Sequence, residues 1–213
     1  MGCNVNILEL FSGTKSITKV FSANGWKTTT MDFNPKTNPD YCLNIMALEP
    51  DVAIGLAGKP DVIWASPPCQ CFSVAAIGHN WSVVGSVYLA KREESRRAAD
   101  LVYHTIDLIE ELKPKYWFIE NPRGMLRKMP FMTRFPRYTV TYCQYGDTRM
   151  KPTDIWTNHP NPQFKPVCHN GDSCHTPAPR GSKTPGSTQG IKGAKDRGRI
   201  PEEFCKHIYE ICQ

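Results

Sequence analysis

The chain has no run approaching the roughly 20 apolar residues that a bilayer-crossing helix requires, and no basic patch followed by an apolar stretch at its start. A membrane protein and a secreted precursor are thus not expected, and a soluble intracellular protein is. Nor is there the dense cysteine framework of a small secreted domain. Nine cysteines are an odd number scattered through apparent strands and helices, which points to reduced thiols. Any one of them is then free to act as a nucleophile. Acid is scarce in one place: residues 149 to 201 hold nine Lys or Arg against three Asp, while the remainder balances at 17 and 17. The whole net charge of +6 therefore sits in one segment, an arrangement suited to a polyanion such as nucleic acid. Large apolar side chains are also missing from residues 159 to 199, where only Phe164, Val167 and Ile191 occur among many Pro and Gly. That stretch can build no core of its own, and it reads as an irregular basic lobe.

At 213 residues and 40% hydrophobic, the chain suits one packed domain plus that small lobe. Short runs rich in β-branched and aromatic residues predict strands at Val5–Phe11, Lys27–Phe33, Asp61–Ala65, Tyr116–Glu120, Tyr138–Tyr142 and Asp154–Thr157. Apolar residues at helical spacing predict helices at Ile17–Ala23 and Ser95–Leu112, the second stopped by Pro114. A last helix, Pro201–Cys212, starts with proline at its first position and gathers Phe204, Ile208 and Ile211 on one face. Alternating strands and helices predict an α/β, doubly wound sheet. The expected organisation is a catalytic part at 1–158, the basic lobe at 159–199 and a closing helix at 200–213.

In such sheets ligands bind beyond the carboxyl ends of the strands, and several predicted ends carry unusual polar groups. The first strand runs into Leu8-Glu9-Leu10-Phe11-Ser12-Gly13-Thr14-Lys15-Ser16, and the second ends at Asp32. The third ends at Pro67-Pro68-Cys69-Gln70, followed by Phe72-Ser73, and the fourth at Glu120-Asn121-Pro122 with Gly124 beyond. The fifth leads into Tyr145-Gly146-Asp147-Thr148-Arg149-Met150-Lys151. A cysteine fixed by two prolines at a strand end suits a nucleophile that must be aligned, since about 1 Å of misplacement costs ~100-fold in rate.

In this order and at these strand ends, the motifs resemble the DNA cytosine-5 methyltransferase family, in its small bacteriophage or bacterial form. The resemblance covers residues 5 to 157 and, weakly, the final helix. It implies a Rossmann-like S-adenosylmethionine-dependent sheet and a mechanism in which a thiolate adds to carbon 6 of an extruded cytosine. Cys69 would be that thiolate, and Glu120 the acid at ring nitrogen 3, its pKa raised by burial. Asn121 would brace the proline-cysteine loop, and Arg149 and Lys151 would face the base and the active-site anion. The methyl donor implied is S-adenosyl-L-methionine, held by Phe11, Ser12, Gly13, Thr14 and Lys15 after the first strand, Asp32 and Phe33 after the second, and Asn44, Ile45 and Pro67. Double-stranded DNA is the implied partner, with a monomer acting in the cytoplasm of a bacterial or phage-infected cell. Residues between Phe72 and Glu94 would form the mobile loop over the flipped base.

The chain departs from the family in five places. Asn44 stands where the family commonly has Asp, though asparagine can still pair with the adenine amino group. Pro122 replaces the usual valine. Asp147-x-Arg149-x-Lys151 stands for Gln-x-Arg-x-Arg, losing a planar fork. Lys15-Ser16 replaces a glycine pair, which leaves open a donor with an extra carboxylate. The basic lobe is short for a target-recognition region, so short or loose site specificity is expected. An RNA substrate is the second reading, although the Cys-Phe-Thr stretch of the tRNA-methylating branch is missing after the glutamate strand. A nucleic-acid-binding protein on a retired enzyme fold is the third, and the presence of Cys69 and Glu120 counts against it. Cys168-His169 and Cys174-His175 form a pattern able in principle to bind zinc, but their cysteines stand further apart than the usual two to four residues, and no metal is expected.

Overall fold

The structure is a computed structural model that describes residues 5–85, 87–177 and 194–213, without the side chains of residues 194 and 195. In chain order its elements are β1 (Asn6–Leu10), α1 (Ser16–Ala23), β2 (Lys27–Asp32), β3 (Tyr41–Cys42), α2 (Pro50–Ala57), β4 (Val62–Ala65), α3 (Ile77–Asn80), β5 (Trp81–Val84), β6 (Val87–Ala90), α4 (Glu93–Leu112), β7 (Tyr116–Pro122), β8 (Arg137–Thr141), β9 (Pro152–Thr157), α5 (Ala194–Gly198) and α6 (Glu202–Ile211). Seven strands form one sheet in the order β3-β2-β1-β4-β7-β9-β8. The first five of that order are parallel, whereas β9 runs antiparallel to both β7 and β8. The order reverses between β1 and β4, the switch point where such sheets open a ligand crevice.

Strand periodicity divides the core into two layers. Leu8, Leu10, Ile63, Ala65, Ile119 and Trp156 pack with α2 and α4 on one face. Ile7, Val62, Trp64, Phe118 and Ile155 pack with α1 and α6 on the other. Because both faces are covered, β1 and β4 are buried at every residue, and β4 reads as a continuous apolar run. Helix α4 buries Val102, Ile106, Ile109 and Leu112 along one stripe. Glu93 and Glu94 in its first turn complement the helix dipole, and Lys113, at φ 48°, ends it before Pro114. The closing helix α6 inserts Phe204 between Trp64 and Tyr145, with ring centroids 6.2 and 4.9 Å away.

Several expectations need adjustment. Helix α2 was not foreseen: Gly55 and the exposed Val52 and Ile54 blur its apolar stripe, and Pro50 at its first turn is the local signal that marks it. The segment between Phe72 and Glu94 is not plain loop, since it holds α3 and an antiparallel β5–β6 hairpin. Strand β8 stops at Thr141, and Tyr142 opens a 3-10 turn that runs to Tyr145. Strand β9 begins two residues earlier than expected, at Pro152, a position that proline tolerates because it starts the strand. Of the basic lobe, residues 178–193 lie outside the described residues, Ile191 among them. Residues 159–177 carry no regular element, and Phe164 anchors them on Phe204 at 5.8 Å.

Candidate active site

The loop after β4 owes its shape to contacts from distant parts of the chain. Asn121, fully buried at the end of β7, donates from Nδ2 to the carbonyl of Pro67 at 3.0 Å. The amide of Phe72 donates to the carbonyl of Cys69 at 3.0 Å, closing the turn around the thiol. The carbonyl of Phe72 then accepts from the amide of Met125 at 2.7 Å, and Ser73 pairs antiparallel with Gly124. A Cβ built on Gly124 would lie 2.2 Å from the carbonyl oxygen of Phe72, so this approach requires glycine. Trp81 completes the clamp by donating from Nε1 to the carbonyl of Cys71 at 2.7 Å and stacking on Phe72 with centroids 5.7 Å apart. The hairpin segment thus buttresses the loop that carries Cys69.

Cys69, Glu120 and Lys151 come together, close enough to change one another's proton affinity. Burial pushes the Cys69 thiol up, the Glu120 charge pushes it the same way, and the Lys151 ammonium opposes both. Burial likewise raises the Glu120 carboxyl, opposed first by Lys151 and then by a hydrogen bond from Tyr142. That hydroxyl donates to Glu120 Oε1 at 3.0 Å, and both residues are buried. Burial pulls Lys151 below the usual lysine range, while Glu120 acts in the other direction. The ammonium donates to the carbonyl of Arg197 at 2.8 Å and lies 4.8 Å from the centre of the Tyr142 ring. Arg149 forms a two-point pair with Asp147, Nε to Oδ1 at 3.0 Å and Nη2 to Oδ2 at 2.6 Å. Its Nη1 is buried without a hydrogen-bond partner among the described residues.

The turn after β1 bends through three left-handed residues, Phe11 (φ 56°), Gly13 (φ 46°) and Lys15 (φ 55°). Two of these are not glycine, and such strain concentrates where a backbone is shaped for a ligand. Asp32, at the end of β2, accepts from the amides of Gly13 at 2.9 Å and Asn34 at 2.7 Å, one on each oxygen. Each carboxylate oxygen keeps a further lone pair for a hydroxyl. Ser12 Oγ is buried without a partner among the described residues, and Phe33 is 75% exposed at the same edge. Thr14 exchanges a hydrogen bond with Ser16 at 2.7 Å. Pro67 is buried, and Asn44 caps the turn that follows it by accepting from the amide of Met46 at 3.1 Å. Ile45 packs in the core at 1% exposure, so only its backbone is available to a ligand. The ammonium of Lys15 donates to the carbonyl of Asn38.

Four positions escaped the sequence reading. Tyr142 holds Glu120 through its hydroxyl, a contact between β7 and the turn after β8 that no local pattern announces. Asp154, fully buried opposite Asn121, takes Arg127 Nε at 2.8 Å, Thr139 Oγ1 at 2.8 Å and Arg137 Nη1 at 3.3 Å. Glu9 is buried within β1, where it accepts from the amide of Thr18 at 2.9 Å; burial lifts its pKa to about 7. An acid inside the apolar run of residues 5 to 11 was the available signal. Cys143 joins Cys168, Cys174 and His175 in one cluster, and His169 is not among these four.

Comparison with known proteins shows the family. Residues 5–130 match the C-5 cytosine-specific DNA methylase family, a span that includes Cys69, Glu120, Asn121 and Gly124. A Frog virus 3 protein named "Probable DNA (cytosine-5)-methyltransferase" is 31% identical over 98% of this chain and 100% of its own length. A type II methyltransferase of Arthrospira platensis is 28% identical over 57% of this chain and 32% of its own. Among solved structures, the Entamoeba histolytica methyltransferase EhMeth superposes with a TM-score of 0.55 at 14% identity, covering 80% of this chain and 58% of that one. A Spodoptera frugiperda DNMT2 mutant does so at 0.50 and 20% identity, covering 76% and 52%. The chain thus spans the whole of its viral relative and little more than half of these two structures, whose likeness concerns the fold. With more than half its length matched and a full-length relative above 30% identity, the chain belongs to the C-5 cytosine-specific DNA methylase family.

Proposed function

We propose that the protein methylates carbon 5 of cytosine in double-stranded DNA, using S-adenosylmethionine. The convergence of Cys69, Glu120 and Lys151 at the mouth of the sheet carries this reading. Cytosine carbon 5 is too weak a nucleophile to accept an alkyl group unaided, so a thiolate adds first at carbon 6 and pushes electrons onto it. Cys69 supplies the sulfur. Glu120 holds a proton at ring nitrogen 3, and its raised pKa suits a group that is protonated while the base binds. The two ionisations are linked. Once Glu120 is neutral, the largest charge opposing the Cys69 thiolate is gone and Lys151 remains to favour it. Acid and nucleophile thus become competent together.

The residues at the ends of β1 and β2 fit the donor. The free lone pairs of Asp32 suit ribose hydroxyls, the exposed ring of Phe33 and the half-buried Phe11 offer apolar faces to a purine, and the partnerless Ser12 Oγ awaits a polar atom. Gly13, Thr14, Lys15, Asn44, the Ile45 backbone and Pro67 border the same space. When bound, S-adenosylmethionine supplies an electrophilic methyl group. Asn121 fixes the height of the Cys69 loop through Pro67, and Arg149, with Nη1 unpartnered among the described residues, offers a donor to the base or to a phosphate. We assign residues 1–158 to catalysis, the basic lobe at 159–199 to the DNA backbone and residues 200–213 to closing the sheet.

Separate duplex DNA and RNA substrates carrying 5-fluorocytosine, incubated with labelled donor, test the proposal. The expected result is a denaturation-resistant protein–DNA adduct in the native chain and none in Cys69→Ser, with methylated cytosine in nucleoside digests of unmodified DNA. An adduct on RNA alone, or Cys69→Ser turning over at close to the native rate, would overturn it.

A further inference from the structure

Outside the catalytic cleft, three sulfurs and one ring nitrogen meet. Cys143, Cys168, Cys174 and His175 bring their donor atoms within 4.8 Å of one another. Among the described residues no other group of three or more such side chains does so. Cys143 comes from the turn after β8, and the other three come from the irregular segment at 159–177, 25 residues or more further on. Cys143 and Cys174 Sγ are 3.6 Å apart, and His175 Nδ1 lies 3.6 Å from Cys174 Sγ and 3.7 Å from Cys168 Sγ. Zinc bonds of about 2.3 Å to sulfur and 2.0–2.1 Å to nitrogen set tetrahedral edges of roughly 3.5–3.8 Å, and these three distances have that length. Cys143 and Cys168 Sγ are closer, at 3.0 Å, which is still far beyond the roughly 2.05 Å of a covalent disulfide.

We propose that Cys143, Cys168, Cys174 and His175 form a structural zinc site that fastens the basic lobe to the catalytic domain. This reverses the expectation of no metal. The sequence pattern paired Cys168-His169 with Cys174-His175, whereas the folded chain leaves His169 out and recruits Cys143 from the strand region. Four protein ligands leave no open position, which is the pattern of structural rather than catalytic zinc. Groups around the cluster orient the ligands. The amide of Cys168 donates to Thr141 Oγ1 at 3.0 Å, and Gln144 Nε2 donates toward Cys174 Sγ at 3.5 Å. The amide of His169 and Asp172 Oδ2, at 2.7 Å, tie the turn between the two lobe cysteines.

A dication would displace the three thiol protons and turn the crowded sulfurs into ligands. The need for such a staple follows from composition, because a segment holding only Phe164 and Val167 as large apolar residues cannot fix itself by burial. The gain is positional. The amide of Thr176 donates to the carbonyl of Thr148 at 2.9 Å, so the ligand segment lies along the stretch that presents Arg149 and Lys151.

The inference rests on the ligand set and stands apart from the proposed reaction, so its test reads metal rather than methylation. Untagged full-length protein, produced with zinc and isolated without chelator under reducing conditions, should hold about one zinc per chain by elemental mass analysis. Cobalt(II) exchanged into the native chain should give the charge-transfer and visible bands of a tetrahedral thiolate site, a readout that needs no variant. Cys174→Ser, at an exposed ligand, should lose both signals, and Cys42→Ser, exposed and outside the cluster, should keep them. Zinc below roughly a tenth of that level in native protein, full retention by Cys174→Ser, or a disulfide joining Cys143 and Cys168 in the reduced preparation would overturn it.

Discussion

Replacing Gly124 with alanine tests whether the two loops at the cleft act as one unit. The added methyl would stand 2.2 Å from the carbonyl oxygen of Phe72 and 3.2 Å from its carbon, where ordinary contacts begin at 3.4 Å. Relief needs a movement of about 1 Å, and the obstacle is backbone, which has no rotamer through which to escape. The φ of Gly124 is −172°, extended backbone open to any residue, so crowding alone is responsible. Moving the Phe72 carbonyl breaks its 2.7 Å hydrogen bond from Met125 and disturbs the turn that Phe72 closes on Cys69. Overpacking of this kind costs about 1–3 kcal/mol, and the lost hydrogen bond about 1 kcal/mol more. A sulfur displaced by about 1 Å should lower kcat ~100-fold. Binding of S-adenosylmethionine, proposed at the ends of β1 and β2, should change little. The assay pairs single-turnover methylation with isothermal titration of the donor and urea unfolding of the same preparation. A folded Gly124→Ala protein with kcat within threefold of native would refute the reasoning.

Two further changes probe the charges. Lys151→Met keeps the bulk beside Tyr142 and removes the cation that lowers both Cys69 and Glu120; the pH midpoint for iodoacetamide alkylation of Cys69 should move upward, and an unchanged or lower midpoint would sink the coupling. Glu9 sits at about 7 in the fold against an ordinary 4.5, so the stability present below pH 4.5 is lost as pH rises through 7, by ~3 kcal/mol at roughly 1.4 kcal/mol per pH unit. Glu9→Gln removes that loss, so urea unfolding should show the variant gaining on native protein between pH 5 and pH 8; an equal difference at both values would contradict the assignment.

What the sequence disclosed and what it hid divide along the range of the interactions. Helix α4 was legible because its buried stripe recurs every three or four residues and Pro114 stops it, both local facts. The Pro67-Pro68-Cys69 and Glu120-Asn121-Pro122 stretches were legible because they place reactive or polar groups where an apolar run ends. Helix α2 was not, since Gly55 and exposed Val52 and Ile54 erase its periodicity. The clamp of Arg127 and Arg137 on Asp154 was hidden because each member is an ordinary charge until β8 and β9 pair. Cys143 was hidden for the same reason, its three companions lying across a lobe that looks structureless in one dimension.

Lys151 shows how topology converts one kind of sequence position into another. A search along the carboxyl ends of strands finds Cys69 after β4, Glu120 near the end of β7 and Lys151 after β8, and Lys151 also directly precedes β9. It reaches the same place because β9 is antiparallel, with Thr153 opposite Pro122 and Ile155 opposite Glu120, so the start of β9 lies where its neighbours finish. The turn before it is short and strained: Lys151 itself sits at φ 32°, a conformation a lysine adopts only under constraint. The constraint is visible, since its ammonium is pinned by the Arg197 carbonyl and the Tyr142 ring and its neighbour Arg149 is locked to Asp147. A planar guanidinium would bring five donors, whereas the ammonium's contacts are one carbonyl and one ring face. The substitution of lysine for the arginine of the family pattern therefore fits a compact cation, placed to act on Cys69 and Glu120 through charge rather than through a fork of hydrogen bonds.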